Sequence, residues 1–521
     1  MTTIKTLVLR NFKKFDNLEL NFNVGTNTLI GDNEAGKSTV LLAIDLVLGA
    51  SRSRVEAIGI ETLFARRAIE TFLAGPKKLE NLPTMFVEVW FEEGKNFELN
   101  GKSNSKNLEA DGLRMDIAPV DDYGKAILEV LADEHPNFPF EYYGIKFSTF
   151  SGDPLLSFKR PLTHLALDSS KIDSDHAARE YTRAVFGLHA DTSERHKLEN
   201  QYRRGKDSFR NEYLGPLNRK LSDYQFSVRS GSRSNLEVDL VITEDNIPLE
   251  SRGKGRQCFL KTQFALSKHK VGKQLHVLLL EEPENHLSHT NMKKLVQSLA
   301  SADHTQLIVA THSSHISSRL DLRHALLLGT GNKSSSLRSL TPATADFFIK
   351  APDNNVLEFA LSKKVILVEG DAEFILLDAL YRKVTGGASA EHDNVHVIAI
   401  GGTSFKRYLE LGKLLGIRTA AIRDNDGSFQ KNCVDNYAEH TFDDGQVFSD
   451  TDDTLSTFEK SLYACNTKNC DEVFAAGRKK LSVLEYMISN KADAALELLT
   501  KKGDDLEVPA YISEAITWIR A

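Results

Sequence analysis

A glycine-rich loop and two sets of acids carry the chemistry legible in this sequence. GDNEAGKS, Gly31 to Ser38, fits the spacing G-x-x-x-x-G-K-[ST] at every fixed position. The backbone N–H groups of such a loop cradle phosphates, helped by the N-terminus of the helix that follows. Lys37 would reach the β- and γ-phosphates and Ser38 would ligate Mg²⁺. Asn33, Gly36 and Thr39 complete the predicted nucleotide contact. HVLLLEEPE, 276–284, is a continuous apolar run that ends in acids. There Glu281 would assist the metal, directly or through water, and Glu282 would activate the attacking water.

The second set of acids lies far downstream. VILVEGDAEF places Glu369 at the end of an apolar strand and Glu373 four residues later, across a strand–helix turn. AAIRDNDG ends another strand in Asp424 and Asp426, and alternate residues of an extended segment point the same way. Two pairs of acids at the ends of parallel strands would repel without a cation. A Mg²⁺ or Mn²⁺ site, with a pair of ions expected, is the simplest reading. Arg423, directly before Asp424, is an unusual residue for that position.

The elements that position these groups read as α/β. IKTLVL, LELNF and TNTLI look like strands, the last feeding the glycine-rich loop, and STVLLAIDLVLG reads as the helix after it. TMFVEVWFEE and NFELN suggest a strand pair, and 101–140 reads as a polar, acidic insertion. The highly charged stretch 165–225 reads as solvated helices. LEVDLVI, HVLLLEEPE and QLIVATHSS return to strand, and the last two suit buried parallel strands with chemistry at their C-terminal ends. The turn-rich segment 330–355 marks a junction. KKVILVEG, NVHVIAIGG and RTAAIRDNDG then form a second α/β unit. The predicted divisions are 1–164 and 231–350 for the two parts of an ATPase domain, 165–230 for a helical insertion, and 351–521 for the second domain.

Order and spacing carry a family resemblance. SRGKGRQ, Ser251 to Gln257, opens a predicted helix and resembles the signature motif of ABC-type ATPases. That likeness implies that Ser251 and Gly253 bind the γ-phosphate held by a partner subunit. THSS places His312 like the switch histidine of the same enzymes. EEPENHLSH and NFKKFD are especially similar to the RecF and OLD branch of that group. A Gln that follows the Walker A helix in most ABC ATPases has no counterpart before Gln201. The downstream acids resemble a Toprim domain, and the whole chain resembles an OLD-family nuclease. The resemblance implies that Glu369, Asp424 and Asp426 serve metal-assisted attack on a phosphodiester, with Glu373 and Glu459 as further ligands. It also implies a C-terminal lysine, Lys502 or its neighbour Lys501, that stabilises the transition state. The fold expected is an N-terminal ABC-type P-loop ATPase with a helical insertion, followed by a C-terminal Toprim-like parallel α/β domain.

Bulk properties set limits. The chain has 521 residues and a net charge of -7, so any nucleic-acid contact must come from local basic patches. Arg203, Arg204 and Lys206 form one candidate, and Arg478, Lys479 and Lys480 another. Four cysteines without a CxxC pair suggest neither a disulfide framework nor a zinc site, and a reducing cytoplasm is expected. MTTIKTLVLRNF reads as a strand and not a signal peptide, and no apolar run suits a membrane span. The leading expectation is an ATP-regulated, metal-dependent DNA endonuclease or nickase that works as a homodimer or tetramer. The resemblance further implies a role in bacterial antiphage defence, with a helicase or a reverse transcriptase as a possible partner. The alternatives are a RecF-like repair or sensing ATPase whose Toprim domain does not cleave, and a topoisomerase. A topoisomerase needs a nucleophilic tyrosine, and no tyrosine here has a recognisable context.

Overall fold

The structure is a computed structural model. It describes residues 3–521 apart from 93–95, 134–136, 156–160, 170–174, 223, 230–234, 267–274, 286, 301–305, 314–315, 317–319, 330–333, 351–354, 403 and 476–480. Two compact units divide the chain. Met1–Ile316 with His324–Ser335 forms the first, and Ser317–Arg323 with Ser336–Ala521 forms the second.

The strands of the first unit are β1 (Ile4–Phe12), β2 (Phe15–Asn21), β3 (Thr26–Ile30), β4 (Met85–Phe91), β5 (Asn100–Gly101), β6 (Ala110–Pro119), β7 (Tyr143–Thr149), β8 (His164–Asp168), β9 (Thr243–Glu244), β10 (Ile247–Pro248), β11 (Val277–Glu281), β12 (Gln306–Ala310), β13 (Ala325–Leu328) and β14 (Ser334–Ser336). They make an antiparallel sheet in the order β2-β1-β4-β6-β5, with β7 also on β6, and a sheet in the order β14-β13-β3-β12-β11-β8. In the second sheet β8, β11, β12, β3 and β13 all run parallel. The continuous apolar runs VLLL and QLIVA fit that place, because a parallel sheet covered on both faces buries every residue of its central strands. Parallel pairing also gathers the strands' C-terminal ends. Ala310 lies beside both Leu29 and Glu281, and Asp168 lies beside Glu281.

The helix Lys37–Gly49 starts at that edge and buries Val40, Leu41, Ile44, Val47 and Leu48. Its N-cap, Gly36, has φ +100, and a Cβ there would meet the Phe15 ring at 2.4 Å. Only glycine satisfies both the backbone and the space. Gln306, at the start of β12, ties the two sheets together. It is buried, accepts from Ile4 N at 2.8 Å, and donates to Ile4 O at 2.7 Å and Asn23 O at 2.8 Å.

Four expectations change here. The segment 101–140 is no insertion: β6 runs through it, between β4 and β7, with Leu113, Met115 and Ile117 in the core. NFELN forms a turn that leads into the two-residue β5. LEVDLVI begins as the short helix Leu236–Asp239, because the Asn235 side chain accepts from Val238 N at 3.1 Å and caps it. The charged stretch begins not as helix but as β8, paired with β11, and then forms the helices Asp175–His189, which buries Tyr181 and Val185, and Thr192–Phe209. The second helix is opened by an Asp191/Glu194 capping box and buries none of its residues.

The second unit holds β15 (Lys364–Val368), β16 (Val395–Ala399), β17 (Arg418–Ile422) and β18 (Gly445–Phe448), parallel in the order β16-β15-β17-β18. Winding reverses at β15, and such switch points place ligands at the strands' carboxyl ends. The helices Asp371–Thr385, Phe458–Phe474, Lys491–Lys502 and Ala510–Arg520 pack a separate core.

Replacing Gln306 with Leu leaves Ile4 N, Ile4 O and Asn23 O without their partner. We expect the first unit to lose roughly 2–4 kcal/mol. Thermal melting of the variant checks this, and an unchanged melting temperature would remove the staple from the account.

Candidate functional site

The first site lies at the C-terminal edge of the parallel sheet. Asn33, Gly36, Lys37, Ser38, Thr39, Glu281, Glu282 and His312 line one cavity of about 480 Å³, together with Lys13 and Lys14. Lys37 is buried, and its Nζ donates to Gly31 O at 2.6 Å and to Asp32 O at 3.0 Å. Burial pulls its pKa below the ordinary lysine value, against the opposing charges of Glu282, Asp32 and Glu281.

Lys37 Nζ also lies 3.4 Å from His312 Nδ1, while His312 Nε2 lies 3.2 Å from Glu282 Oε1. An ammonium can only donate, so Nδ1 accepts and the ring proton of a neutral His312 sits on Nε2, facing Glu282. Glu282 itself has φ +45, and its other oxygen accepts from Asn285 Nδ2 at 2.7 Å. A non-glycine residue held in that region marks a position that the surroundings over-determine.

Glu284 escaped the sequence reading. Its Oε1 accepts from Thr311 Oγ1 at 2.6 Å, His312 N at 2.9 Å and Ser313 N at 3.1 Å. Ser251 and Gly253 are exposed, directly before the helix Lys254–Leu266, and they do not line this cavity.

The second site lies within the second unit. Glu369 follows β15 and Asp424 follows β17, its neighbour in the sheet. Glu373 sits in the first turn of the helix after β15, and Glu459 in the first turn of Phe458–Phe474. Asp424, Glu373 and Glu459 are 9%, 6% and 3% exposed, so three carboxylates share a water-poor space. Asp424 Oδ1 accepts from Phe458 N at 2.7 Å, which ties β17 to the start of that helix. Among the described residues Glu459 Oε2 has no hydrogen-bond partner.

The electrostatics follow from burial and like charge. Burial, then Glu373 and Glu369, push Asp424 up to about 8. Burial, with Glu459 next among the raising causes, pushes Glu373 up to about 7. Glu369 is raised as well, chiefly by burial. Tyr511 is buried, and its phenol is pushed well above the ordinary value, first by burial and then by Asp424 and Glu373.

The cation in this group was not expected. Lys491 Nζ lies 3.2 Å from Glu459 Oε1, and its charge also acts on Asp424, Glu373 and Glu369. Lys502 instead pairs with Glu472 at 2.7 Å, and Lys501 with Glu497 at 2.7 Å. Among the described residues, the lysine beside these carboxylates is Lys491. It stands at the start of its helix, where sequence gives it no distinguishing signal, while Lys501 and Lys502 end that helix on the solvent side.

Asp426 corrects another expectation. β17 ends at Ile422, and Asp426 adopts φ +52 in a turn, so it does not share an extended segment with Asp424. Its side chain is 53% exposed and pairs with Arg423 Nη2 at 2.8 Å.

A divalent cation fits the buried group by donor chemistry. Several carboxylates lie close in low dielectric, and among the described residues Glu459 Oε2 has no hydrogen-bond donor. Among the described residues no three acid, histidine or cysteine side chains stand close enough to share an ion directly. Mg²⁺ commonly keeps several of its waters and would reach such ligands through them.

Of the proposed basic patches, Arg203 and Arg204 are exposed, and Lys206 lies 3.6 Å from Asp239. Arg478, Lys479 and Lys480 lie outside the described residues. All four cysteines are free thiols. No described helix is long and apolar enough to cross a membrane.

Comparison with known proteins finds matches along both parts of the chain. Residues 6–136 match an AAA domain, 164–317 an AAA ATPase domain, and 361–426 the "overcoming lysogenization defect protein-like, TOPRIM domain". The chain therefore joins AAA-type ATPase regions to a following OLD-like TOPRIM domain. Two curated relatives, the DNA replication and repair protein RecF of Clostridium botulinum strains Eklund 17B and Alaska E43, are each 49% identical over 41 residues. That match spans 8% of this chain and 11% of theirs. Among solved structures, the SMC head domain from Thermotoga maritima has TM-score 0.30 at 17% identity, covering 64% of this chain and 97% of that one. The C-terminal region of the Burkholderia pseudomallei OLD protein has TM-score 0.26 at 20% identity, covering 30% and 97%.

The raised carboxylates predict a pH effect on stability. Asp424 and Glu373 have folded values of about 8 and about 7, well above their unfolded ones. The folded chain therefore holds protons that the unfolded chain releases, and metal-free stability falls as pH rises through 7 to 8. Added Mn²⁺ should raise the second unit's melting temperature more above that window than at pH 6. An EDTA-treated protein that melts higher at alkaline pH would contradict this electrostatic picture.

Proposed function

We propose that this chain is an ATP-regulated DNA endonuclease or nickase that depends on Mg²⁺ or Mn²⁺. One observation carries the proposal. The same chain has a cavity lined by Lys37, Ser38, Glu281, Glu282 and His312, and a buried group of carboxylates, Asp424, Glu373 and Glu459, with Lys491 beside Glu459. A retired site has no reason to keep so costly a cluster of acids.

In the ATPase, the Gly31–Ser38 loop and Lys37 would bind the triphosphate, replacing the Gly31 and Asp32 carbonyls that Lys37 now contacts. Ser38 and Glu281 would hold the nucleotide's Mg²⁺. Glu282, held by Asn285 and His312, would accept the proton of the attacking water. Ser251 and Gly253, exposed before their helix, would complete the nucleotide site of a second copy. A homodimer, or a tetramer built from it, follows.

In the nuclease centre, Glu369, Glu373, Asp424 and Glu459 would hold the divalent ion. The second ion of the expected pair would have to be drawn by Asp426. Bound metal would activate water and offset charge on the scissile phosphate. Lys491 would stabilise the leaving oxygen. Exposed Arg203 and Arg204 would hold DNA through its phosphates, so binding should weaken steeply with salt. Such an enzyme suits bacterial antiphage defence, alone or with a helicase or reverse transcriptase partner, in the cytoplasm.

Plasmid cleavage with Mn²⁺ tests this reading. We expect Glu369→Ala and Asp424→Asn to lose about 10²-fold or more in cleavage while they keep ATP hydrolysis. Lys491→Ala should lose a similar factor, and Lys502→Ala should cut like the wild type. Glu282→Gln should bind ATP and hydrolyse it about 10²-fold more slowly. Wild-type protein that leaves plasmid intact with either metal, with and without ATP, would sink the nuclease reading.

A further inference from the structure

Glu282 is held at its carboxylate by Asn285 and His312, and at its backbone by a third residue, Ser169. Ser169 is buried and directly follows β8, which runs parallel beside β11 with Asp168 level with Glu281. The Ser169 hydroxyl donates to Glu281 O at 2.7 Å and also to Glu282 O. In an extended strand successive carbonyls point to opposite edges. Two consecutive carbonyls meet one hydroxyl only where the chain turns sharply between them. Glu282, with φ +45, makes that turn. The next carbonyl is held too: Cys258 Sγ, buried in the helix Lys254–Leu266, donates to Pro283 O at 3.3 Å. Glu282 N donates to Ala310 O at 2.8 Å, and Asn285 N donates to Glu282 O at 3.0 Å.

A non-glycine residue at such a φ is costly, and it persists only where its surroundings over-determine it. Ser169 answers that cost in a specific way. Its paired bond exists only while Glu282 stays turned, because an extended Glu282 would carry its carbonyl to the opposite edge. The same turn sets where the Glu282 side chain leaves the backbone. That side chain lines the nucleotide cavity, and Ser169 does not. We propose that Ser169 is a positioning residue for ATP hydrolysis: its hydroxyl holds the turn that aims the Glu282 carboxylate at the attacking water. Ser169 acts through Glu282 and takes no part in binding the triphosphate. The inference rests on the role proposed above for Glu282, and the experiment below separates the two.

The test is a double-mutant cycle on steady-state ATP hydrolysis by the full-length chain, with Ser169→Ala, Glu282→Gln and the two combined. Ser169→Ala should lower kcat at least about tenfold and leave KM for ATP within about twofold, because Lys37 and Ser38 keep their places. Beside Glu282→Gln it should cost no more than about twofold, since the group it positions is already disabled. A residue that merely stabilised the fold would slow both backgrounds alike. Ser169→Ala that turns over like the wild type, raises KM alone, or costs as much beside Glu282→Gln as by itself would overturn the inference and leave the role of Glu282 standing. Should Ser169→Ala fail to fold, Ser169→Cys keeps the volume with a weaker donor and enters the same cycle. Wild type that hydrolyses no ATP, or Glu282→Gln that hydrolyses it as fast as the wild type, overturns the role of Glu282 and this inference together.

Discussion

Like charges in a dry space are the constraint around which the second unit is arranged. Asp424, Glu373 and Glu459 are nearly buried, and Glu369 joins them at the ends of adjacent parallel strands. Left alone, such acids take up protons, as the raised values of Asp424 and Glu373 express. The fold tolerates them because neighbouring elements each supply partial relief. Phe458 N donates to Asp424, and Lys491 stands beside Glu459. What remains is a shortfall of positive charge, which the divalent cation proposed for this site would fill.

The first unit solves a related problem with the opposite sign. Lys37 is a buried ammonium, satisfied by carbonyls of its own loop and ringed by Glu281, Glu282 and Glu284. The loop is closed on itself by contacts that nucleotide oxygens can replace. His312 links this lysine to Glu282, so the group that binds phosphate and the group that would direct water are two hydrogen bonds apart. Both units therefore put charge at the carboxyl edge of a parallel sheet, where strand order opens a crevice.

Much of this was legible, and the reasons are local. The Gly31–Ser38 loop announces itself because its chemistry depends on backbone and small residues at fixed spacing. Glu281, Glu369 and Asp424 stand out because acids end otherwise apolar strands. Lys491 was hidden because a lysine opening a helix looks like any solvated lysine until Glu459 is beside it. Glu284 was hidden because its role is to gather donors from a different strand. Asp426 was misread because alternation holds only while the chain stays extended, and β17 stops at Ile422. Arg423 looked odd in sequence for a sound reason, since its partners come from the turn after it and from Tyr437.

Glu284 has a mechanical consequence. One of its oxygens takes the Thr311 hydroxyl and two backbone N–H groups, so the tip of β12 is clamped to the segment just after β11. Glu282 and His312 ride on those two tips and contact each other. They are two contacts ganged on one bar, so a displacement at either tip would be carried to the other. Under the roles proposed for them, the partner of the attacking water and the sensor of the γ-phosphate would be joined through one clamp, Glu284.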